Sequence, residues 1–122
     1  MKELKFRVWD NVDYMSSSFN LQDVQEKKVQ WTRDCVVMQY TVLNDKNGKE
    51  IFEGDIVEFD KNGIGDIPYD GYHKIRRTPV YWNDFRASWS VKFSEMANHD
   101  LFKYHLMCEV IGNIYENPEL LS

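Results

Sequence analysis

Residues 45–57 read DKNGKEIFEGDIV and decide how the middle of the chain folds. Asn47-Gly48 is typical of a turn, because asparagine tolerates the left-handed region of backbone space and glycine enters it freely. Strand-forming residues lie on both sides, so we expect a turn that links two strands, with Gly48 at a positive φ. The following Glu53-Gly54-Asp55 predicts a second turn or bulge.

A glycine-rich phosphate loop would be the functional interpretation of this stretch. Such a loop opens a helix and carries a lysine that is followed by serine or threonine. Here Gly48-Lys49 is followed by Glu50, and the next residues favour a strand rather than a helix. We therefore exclude a phosphate loop.

Strand patterns extend outward from the central stretch in both directions. The aromatic content of 15% favours β structure. Residues 88–93 alternate with Trp89, Val91 and Phe93 directed inward, and Gly112 marks a bulge in the last strand. The predicted strands span residues 5–9, 35–43, 56–59, 88–93 and 107–115. Short strands separated by turns predict a mainly β protein, either a small barrel or a sandwich.

Helical signals are few. Residues 16–34 fit two patterns: a hairpin around the polar DVQEKK, which we favour, and a helical turn near residues 22–28 as the alternative. Residues 94–105 predict a short helical turn capped by Ser94. Asn117-Pro118 predicts a helix start near the C-terminus.

The overall charge and the cysteines narrow the class of protein. The 122-residue chain has a formal net charge of -5, which disfavours a general nucleic-acid coat protein. Cys35 and Cys108 form no paired motif, so we expect reduced thiols and a cytoplasmic location. No apolar run reaches the roughly 20 residues of a membrane-spanning helix, and we expect no contact with membranes.

Three segments together resemble the YopX family of phage and prophage proteins: KFRVWD at 5–10, MQYTVLNDKNGKEIFEGDIVEFD at 38–60 and VIGNIYENPELL at 110–121. The resemblance implies a C-terminal SH3-like barrel over residues 47–122 with a C-terminal helical turn. It also implies a smaller N-terminal β (or α+β) part over residues 1–46, and a phage or prophage origin in a bacterial host cell. It implies no activity, catalytic residues or cofactor.

The chain departs from the family pattern at one position. Where the family often has the sequence YTGL, this chain has Tyr40-Thr41-Val42-Leu43. The glycine that suits a left-handed backbone is missing, so ordinary β backbone is expected at Val42.

Two groups of residues invite a chemical interpretation that their spacing does not support. His99, His105 and Cys108 match no standard zinc spacing, and nothing in the sequence activates Cys108 as a nucleophile. The acids at 53, 55, 58 and 60 suit a charged strand face and a solvated turn. We expect no catalytic residue, no metal and no cofactor.

The stretch 71–93 is basic within an acidic protein, with five cations against Asp84 alone. Cations interleaved with aromatic rings can contact single-stranded nucleic acid or a protein partner. The candidate partner-binding surface comprises Tyr72, Lys74, Arg76, Arg77, Tyr81, Trp82 and Arg86. We favour the structural alternative, in which Trp89 and one of the rings at 81 and 82 are core, while the arginines pair with the acidic residues 45–70.

The sequence thus favours a non-enzymatic binding or interaction module of unknown partner. The first alternative is a self-associating structural protein that forms homo-oligomers through the same surface. The second is a short contact with single-stranded nucleic acid through residues 72–93. An enzyme is the least favoured class.

Overall fold

The computed structural model describes residues 4–32, 34–59, 77–94 and 97–121. Within these ranges the chain is mainly β, as predicted. The strands are β1 (Lys5–Trp9), β2 (Phe19–Asn20), β3 (Val36–Asn44), β4 (Glu50–Phe52), β5 (Asp55–Phe59), β6 (Arg77–Pro79), β7 (Tyr81–Asn83), β8 (Ser88–Ser94), β9 (Ala97–Asp100) and β10 (Cys108–Asn113). The helical segments are short: α1 (Leu21–Gln25), α2 (Leu101–Tyr104) and two 3₁₀ helices, His105–Met107 and Pro118–Leu121.

The strands form three antiparallel sheets, ordered β2-β1-β3-β4, β10-β5-β6 and β7-β8-β9. The described strands do not close into a barrel. The predicted bulge in the last strand is confirmed, since the register between β5 and β10 shifts between Val110 and Gly112. The part of the chain that the structure describes contains no helix long and apolar enough to span a membrane.

The central turn lies where the sequence places it. It connects β3 to β4, and Gly48 has a φ of 82°, as predicted. The side chain of the buried Asp45 accepts hydrogen bonds from the backbone N–H groups of Asn47 and Lys49, at 2.8 and 2.9 Å. Its other carboxylate oxygen accepts from the Val110 N–H at 2.9 Å. One aspartate therefore shapes the turn and attaches it to β10.

The main core lies between the second and third sheets and α2. The Phe93 ring occupies its centre and meets the rings of Phe59 and Tyr104 edge to face, each at 5.0 Å between centroids. The inward alternation predicted for β8 is confirmed for Val91 and Phe93, which are fully buried, and Trp89 packs half-buried against the same cluster. Apolar burial of this kind is the dominant stabilising term in folding.

Asp55 corrects the expectation that the acids of this segment are solvated. Its side chain is only 2% exposed, and one carboxylate oxygen accepts from Arg7 Nη2 at 2.6 Å. The other accepts from the Phe52 N–H at 2.8 Å. Burial raises the pKa of the Asp55 carboxyl more than the Arg7 guanidinium lowers it. The pair joins β1 to the turn that begins β5, across two sheets.

The prediction for residues 16–34 is corrected in favour of its alternative. Residues 21–25 form the helix α1, and the only strand described there, β2, pairs with β1 rather than with a second arm of a hairpin. The side chain of Asn20 accepts from the Asp23 N–H at 2.9 Å, and the Asp23 carboxylate accepts from the Asn20 N–H at 3.0 Å. This reciprocal cap satisfies two backbone donors at the helix start.

The predicted helix cap at Ser94 is wrong. Ser94 ends β8, and α2 begins only at Leu101, after β9. The predicted helix start at Asn117-Pro118 is confirmed, as Pro118 is the first residue of a 3₁₀ helix.

We expect Asp55→Ala to lower the free energy of unfolding by about 3–5 kcal/mol, because it leaves the Arg7 side chain, which is only 14% exposed, without its partner. Glu58→Ala is the matched control, since it removes the Arg77–Glu58 pair, whose side chains are 47% and 38% exposed. An exposed pair contributes only about 0–1 kcal/mol. Urea unfolding of both variants measures the difference, and equal losses would contradict a central role for Asp55.

Candidate protein-binding cleft

A cleft of about 320 Å³ opens between the end of β3, the β7–β8 hairpin and the start of α2. Aromatic and aliphatic side chains form most of its walls. It is lined by Thr41, Val42, Leu43, Trp82, Ala87, Ser88, Trp89, Asp100 and Phe102. Concave and mostly apolar surfaces with a few polar groups are typical of binding sites.

The hairpin supplies the aromatic wall. Trp82 on β7 lies directly opposite Trp89 on β8, and their rings meet edge to face with centroids 5.1 Å apart. The Asn83 side chain accepts from the N–H groups of Phe85 and Arg86, which shapes the connecting turn. Trp89 reaches into the core, whereas Trp82 remains 45% exposed. Trp82 is therefore anchored by its neighbour and still available to a ligand.

Val42 corrects the expectation of ordinary β backbone at this position. Its φ is 71°, in the left-handed region, and the register between β3 and β4 shifts between Tyr40 and Asn44. The Thr41 hydroxyl holds this bulge by donating to the Ile51 carbonyl at 2.7 Å and accepting from the Leu43 N–H at 3.2 Å. The left-handed backbone is strained for a β-branched residue.

Ala87 is a second strained residue at the same cleft. It closes the hairpin turn with a φ of 50°. A left-handed residue at the end of a hairpin turn normally calls for glycine. Val42 and Ala87 lie on different elements, yet both line the one cleft. Left-handed residues that bear a side chain concentrate at functional sites.

Polar contacts close one end of the cleft. Asp100 accepts a hydrogen bond from the Ser88 hydroxyl at 3.0 Å, and Arg86 Nε lies 3.4 Å from the same carboxylate oxygen. Arg86 Nη1 also donates to the Asn98 carbonyl at 3.4 Å. The charges of Arg86 and Asp100 thus neutralise each other at this end of the cleft.

Exposed apolar side chains continue beyond the cleft. Phe85 at the hairpin tip is 99% exposed, and Phe102 on α2 is 75% exposed. In α2 the buried side chains are Leu101 and Tyr104, which leaves Phe102 on the outer face. Large apolar side chains grouped around a concavity indicate an interaction site rather than scattered surface residues.

The sequence-predicted surface is only partly assembled. Tyr72, Lys74 and Arg76 lie outside the described residues. Arg77 pairs with Glu58 at 2.6 Å, which follows the structural alternative in which arginines neutralise the acidic segment. Arg86 pairs with Asp100, so both described arginines of the surface are engaged within the chain.

Tyr81 and Trp82 occupy opposite faces of β7. Trp82 lines the cleft with the strained residues, whereas Tyr81 lines a different cleft with Pro79 and Lys92. The Tyr81 hydroxyl donates to the Asn98 side chain. Burial raises the pKa of Tyr81. Consecutive strand residues point to opposite faces, so one surface cannot contain both rings.

Several cleft residues were missed by sequence reasoning, namely Val42, Ala87, Asp100 and Phe102. A signal for Phe102 was available in the helical spacing. Leu101 and Tyr104 are three positions apart and share the inward face of the turn, which directs Phe102 outward. The available signal for Val42 was the glycine that the family often has at this position, whereas no local pattern reveals the strain at Ala87.

The His and Cys residues near the C-terminus each contact other groups of the chain. His105 Nδ1 contacts the Asn44 carbonyl at 2.6 Å, and the His99 ring stacks on Phe93 at 4.5 Å. The Cys108 thiol is fully buried and donates to the His105 carbonyl at 3.3 Å. Over the described ranges, no three His, Cys, Asp or Glu residues are grouped as metal binding requires.

Val42→Gly should raise the free energy of unfolding by about 1 kcal/mol, because glycine relieves the left-handed strain at a smaller entropic cost. Val37→Gly is the control: it lies on the same strand, is 40% exposed against 37% for Val42, and has no positive φ. The free energy of unfolding of Val37→Gly should fall by about 1 kcal/mol. Thermal unfolding of both variants measures these changes. A loss of stability in both variants would contradict the left-handed strain at Val42.

Cys108 should resist alkylation in the folded protein. Burial, together with the nearby charges of Asp45 and Asp55, raises its pKa to about 12. At pH 8 about one thiol in 10⁴ is then ionised, and the thiolate is the reactive form. Iodoacetamide followed by peptide mass mapping should label the half-buried Cys35 first. Equal labelling at Cys108 would contradict its burial.

Comparison with known proteins is consistent with this architecture. The family model for YopX proteins matches residues 5–122. None of the curated proteins matches the chain. The crystal structure of protein EF1440 from Enterococcus faecalis has 26% identity and a TM-score of 0.58, covering 98% of both chains. That of yopX from Bacillus subtilis has 19% identity and a TM-score of 0.58, covering 99% of this chain and 98% of the other.

The family match extends over nearly the whole chain and confirms the resemblance found in the sequence. The likeness to the Bacillus subtilis protein adds a shared fold. The protein described here belongs to the YopX family.

Proposed function

We propose that this protein is a non-enzymatic interaction module whose cleft beside the β7–β8 hairpin binds an apolar segment of a partner protein. The observation that carries the proposal is the coincidence of strain and exposure in one place. Val42 and Ala87 hold left-handed backbone around a cleft whose aromatic wall, Trp82 and Phe102, stays open to solvent. Both features cost stability, and binding is what would compensate for that cost.

The valine side chain at position 42 is further support for a binding role of the cleft. The backbone there keeps the conformation that glycine suits, yet the residue is valine. What valine adds is an apolar branched surface on the cleft wall. A protein partner that inserts an aliphatic or aromatic side chain would contact that surface. Interfaces of this kind concentrate their affinity in a few anchored aromatic residues, and Trp82 is placed to act as one.

A protein partner is favoured over nucleic acid because the described arginines of the surface are already in ion pairs. Arg77 and Arg86 are each held by a carboxylate of the chain. A phosphate would have to displace Glu58 or Asp100 before it could pair, and the net charge of -5 adds repulsion. Nucleic-acid contact through residues 72–93 is therefore the weaker proposal.

Self-association through the same cleft is the second candidate function. The observation that favours it is the fully exposed Phe85 at the hairpin tip, beside the cleft. A protruding ring and an adjacent apolar concavity on one chain can combine between copies. The net charge of -5 on each copy opposes this association at low salt.

The domain arrangement, origin and location of the protein are also part of the proposal. We propose an SH3-like arrangement for residues 47–122, supported by β5 pairing with both β6 and β10 and by the short step from β6 through Val80 into β7. Residues 1–46 would be a smaller N-terminal part. A phage or prophage origin, which rests on the family resemblance, and a cytoplasmic location, which rests on the unpaired cysteines, complete the proposal.

Selection from a displayed library of random peptides tests the cleft. We expect enriched peptides with aromatic or aliphatic residues that bind the wild-type protein and lose at least about tenfold in affinity to Trp82→Ala. Trp31→Ala is the matched control, as Trp31 is 40% exposed on another part of the molecule. Peptide-induced amide shifts should centre on Val42, Ala87 and Ser88.

Peptides that bind both variants equally would refute the cleft as the binding site. Sedimentation of the free protein tests self-association. An apparent mass that rises with concentration in the wild type, but not in Trp82→Ala, would show that the cleft binds a second copy rather than a partner protein. Salt-dependent binding of a short single-stranded oligonucleotide would instead return nucleic acid to first place.

A further inference from the structure

A second cleft, of about 380 Å³, lies on the opposite face of β7 and does not belong to the proposed binding cleft. The two clefts share no lining residue. The second cleft is lined by two tyrosine rings, by aliphatic side chains, and by one acid and one base. The residues that matter for its chemistry are Glu53, Pro79, Tyr81, Lys92, Ile114 and Tyr115.

The Tyr115 ring is held in place on two sides. The Trp9 ring stacks against it at 6.1 Å between centroids, with 27° between the planes. Gly54 lies at its edge: a Cβ there would come within 3.3 Å of Tyr115 Cε2, and the φ of 85° also requires glycine. The ring therefore presents a fixed surface to the cleft, which lowers the entropic cost of binding.

Glu53 gives the cleft an unused negative charge. Among the described residues its carboxylate has no ion-pair or hydrogen-bond partner, although most carboxylates around it are engaged, as Asp55 is with Arg7. Its charge reaches Tyr115, because after burial it is the next cause that raises the pKa of that phenol. A fixed aromatic ring beside a free carboxylate is a favourable environment for a cation.

The cleft already accommodates one cation of its own. Lys92 Nζ lies 6.0 Å from the centroid of the Tyr81 ring. Within the described ranges this ammonium has no carboxylate partner, so it does not neutralise Glu53. The Tyr81 side of the cleft is thus occupied, and the Tyr115 side, next to Glu53, is open.

We propose that this second cleft docks an arginine side chain of a partner protein, with the guanidinium against the Tyr115 ring and its charge met by Glu53. Arginine fits better than lysine, because its planar and weakly hydrated group stacks on rings while it pairs with a carboxylate. The net charge of -5 attracts a basic segment. The described arginines Arg7, Arg77 and Arg86 are all paired within the chain, so none of these three is a ready donor from a second copy.

The probe is the tripeptide acetyl-Gly-Arg-Gly-amide, titrated into isotope-labelled protein while amide shifts are recorded. We expect saturable shifts at Gly54, Ile114 and Tyr115. The citrulline counterpart, which has the same shape without the charge, should produce none. Glu53→Gln should weaken binding about fivefold, as an exposed cation site is worth about 1 kcal/mol. Lys92→Gln should strengthen binding, because it removes a competing cation.

Opposite effects of these two conservative variants distinguish recognition from a general loss of structure, and thermal unfolding of each verifies the fold. Equal binding of the citrulline peptide, an unchanged affinity in Glu53→Gln, or weaker binding in Lys92→Gln would overturn the proposal. Free arginine binding as tightly as the peptide would replace the partner protein by a small molecule. None of these outcomes involves Trp82, so this inference and the proposed function fail separately.

Discussion

The buried pair between Arg7 and Asp55 is the interaction on which the arrangement of the sheets depends. It attaches the N-terminal strand to the turn that starts β5, which itself pairs with β6 and β10. The Asp55 carboxylate also fixes the Phe52 N–H, so the pair determines the path of the chain around Gly54. Because a buried charge without its partner is costly, the two sheets are held in one relative position.

Much of the fold could be predicted because its signals are local. The turn at Gly48 follows from the residues that form it, and strand alternation marks β8 and the bulged last strand. Helix α1 was predicted only as an alternative, because five residues are too few to display a helical period; its sign is the cap between Asn20 and Asp23. The left-handed backbone at Val42 depends on the pairing of β3 with β4, which local sequence does not reveal.

The candidate site was less predictable because it is built from distant parts of the chain. Local composition grouped Tyr81, Trp82 and Arg86 in one surface, although strand alternation places the two rings on opposite faces of β7. The partners of the arginines, Glu58 and Asp100, lie at other positions in the sequence and become neighbours only through strand pairing. Within the described part of the basic stretch, Arg77 and Arg86 are thus neutralised by carboxylates of the chain itself.

Under the two proposals, the β7–β8 hairpin serves recognition on both of its faces, each with a different chemistry. One face presents Trp82 to apolar side chains, and the other brings Tyr81 into a cleft with the Glu53 carboxylate, which has no partner among the described residues. A partner segment with an apolar anchor and an arginine could engage both faces only by wrapping around the hairpin edge, and such two-point contact increases affinity without new contacts at either point. The short β7, with its three residues, is the element that allows both faces to be reached.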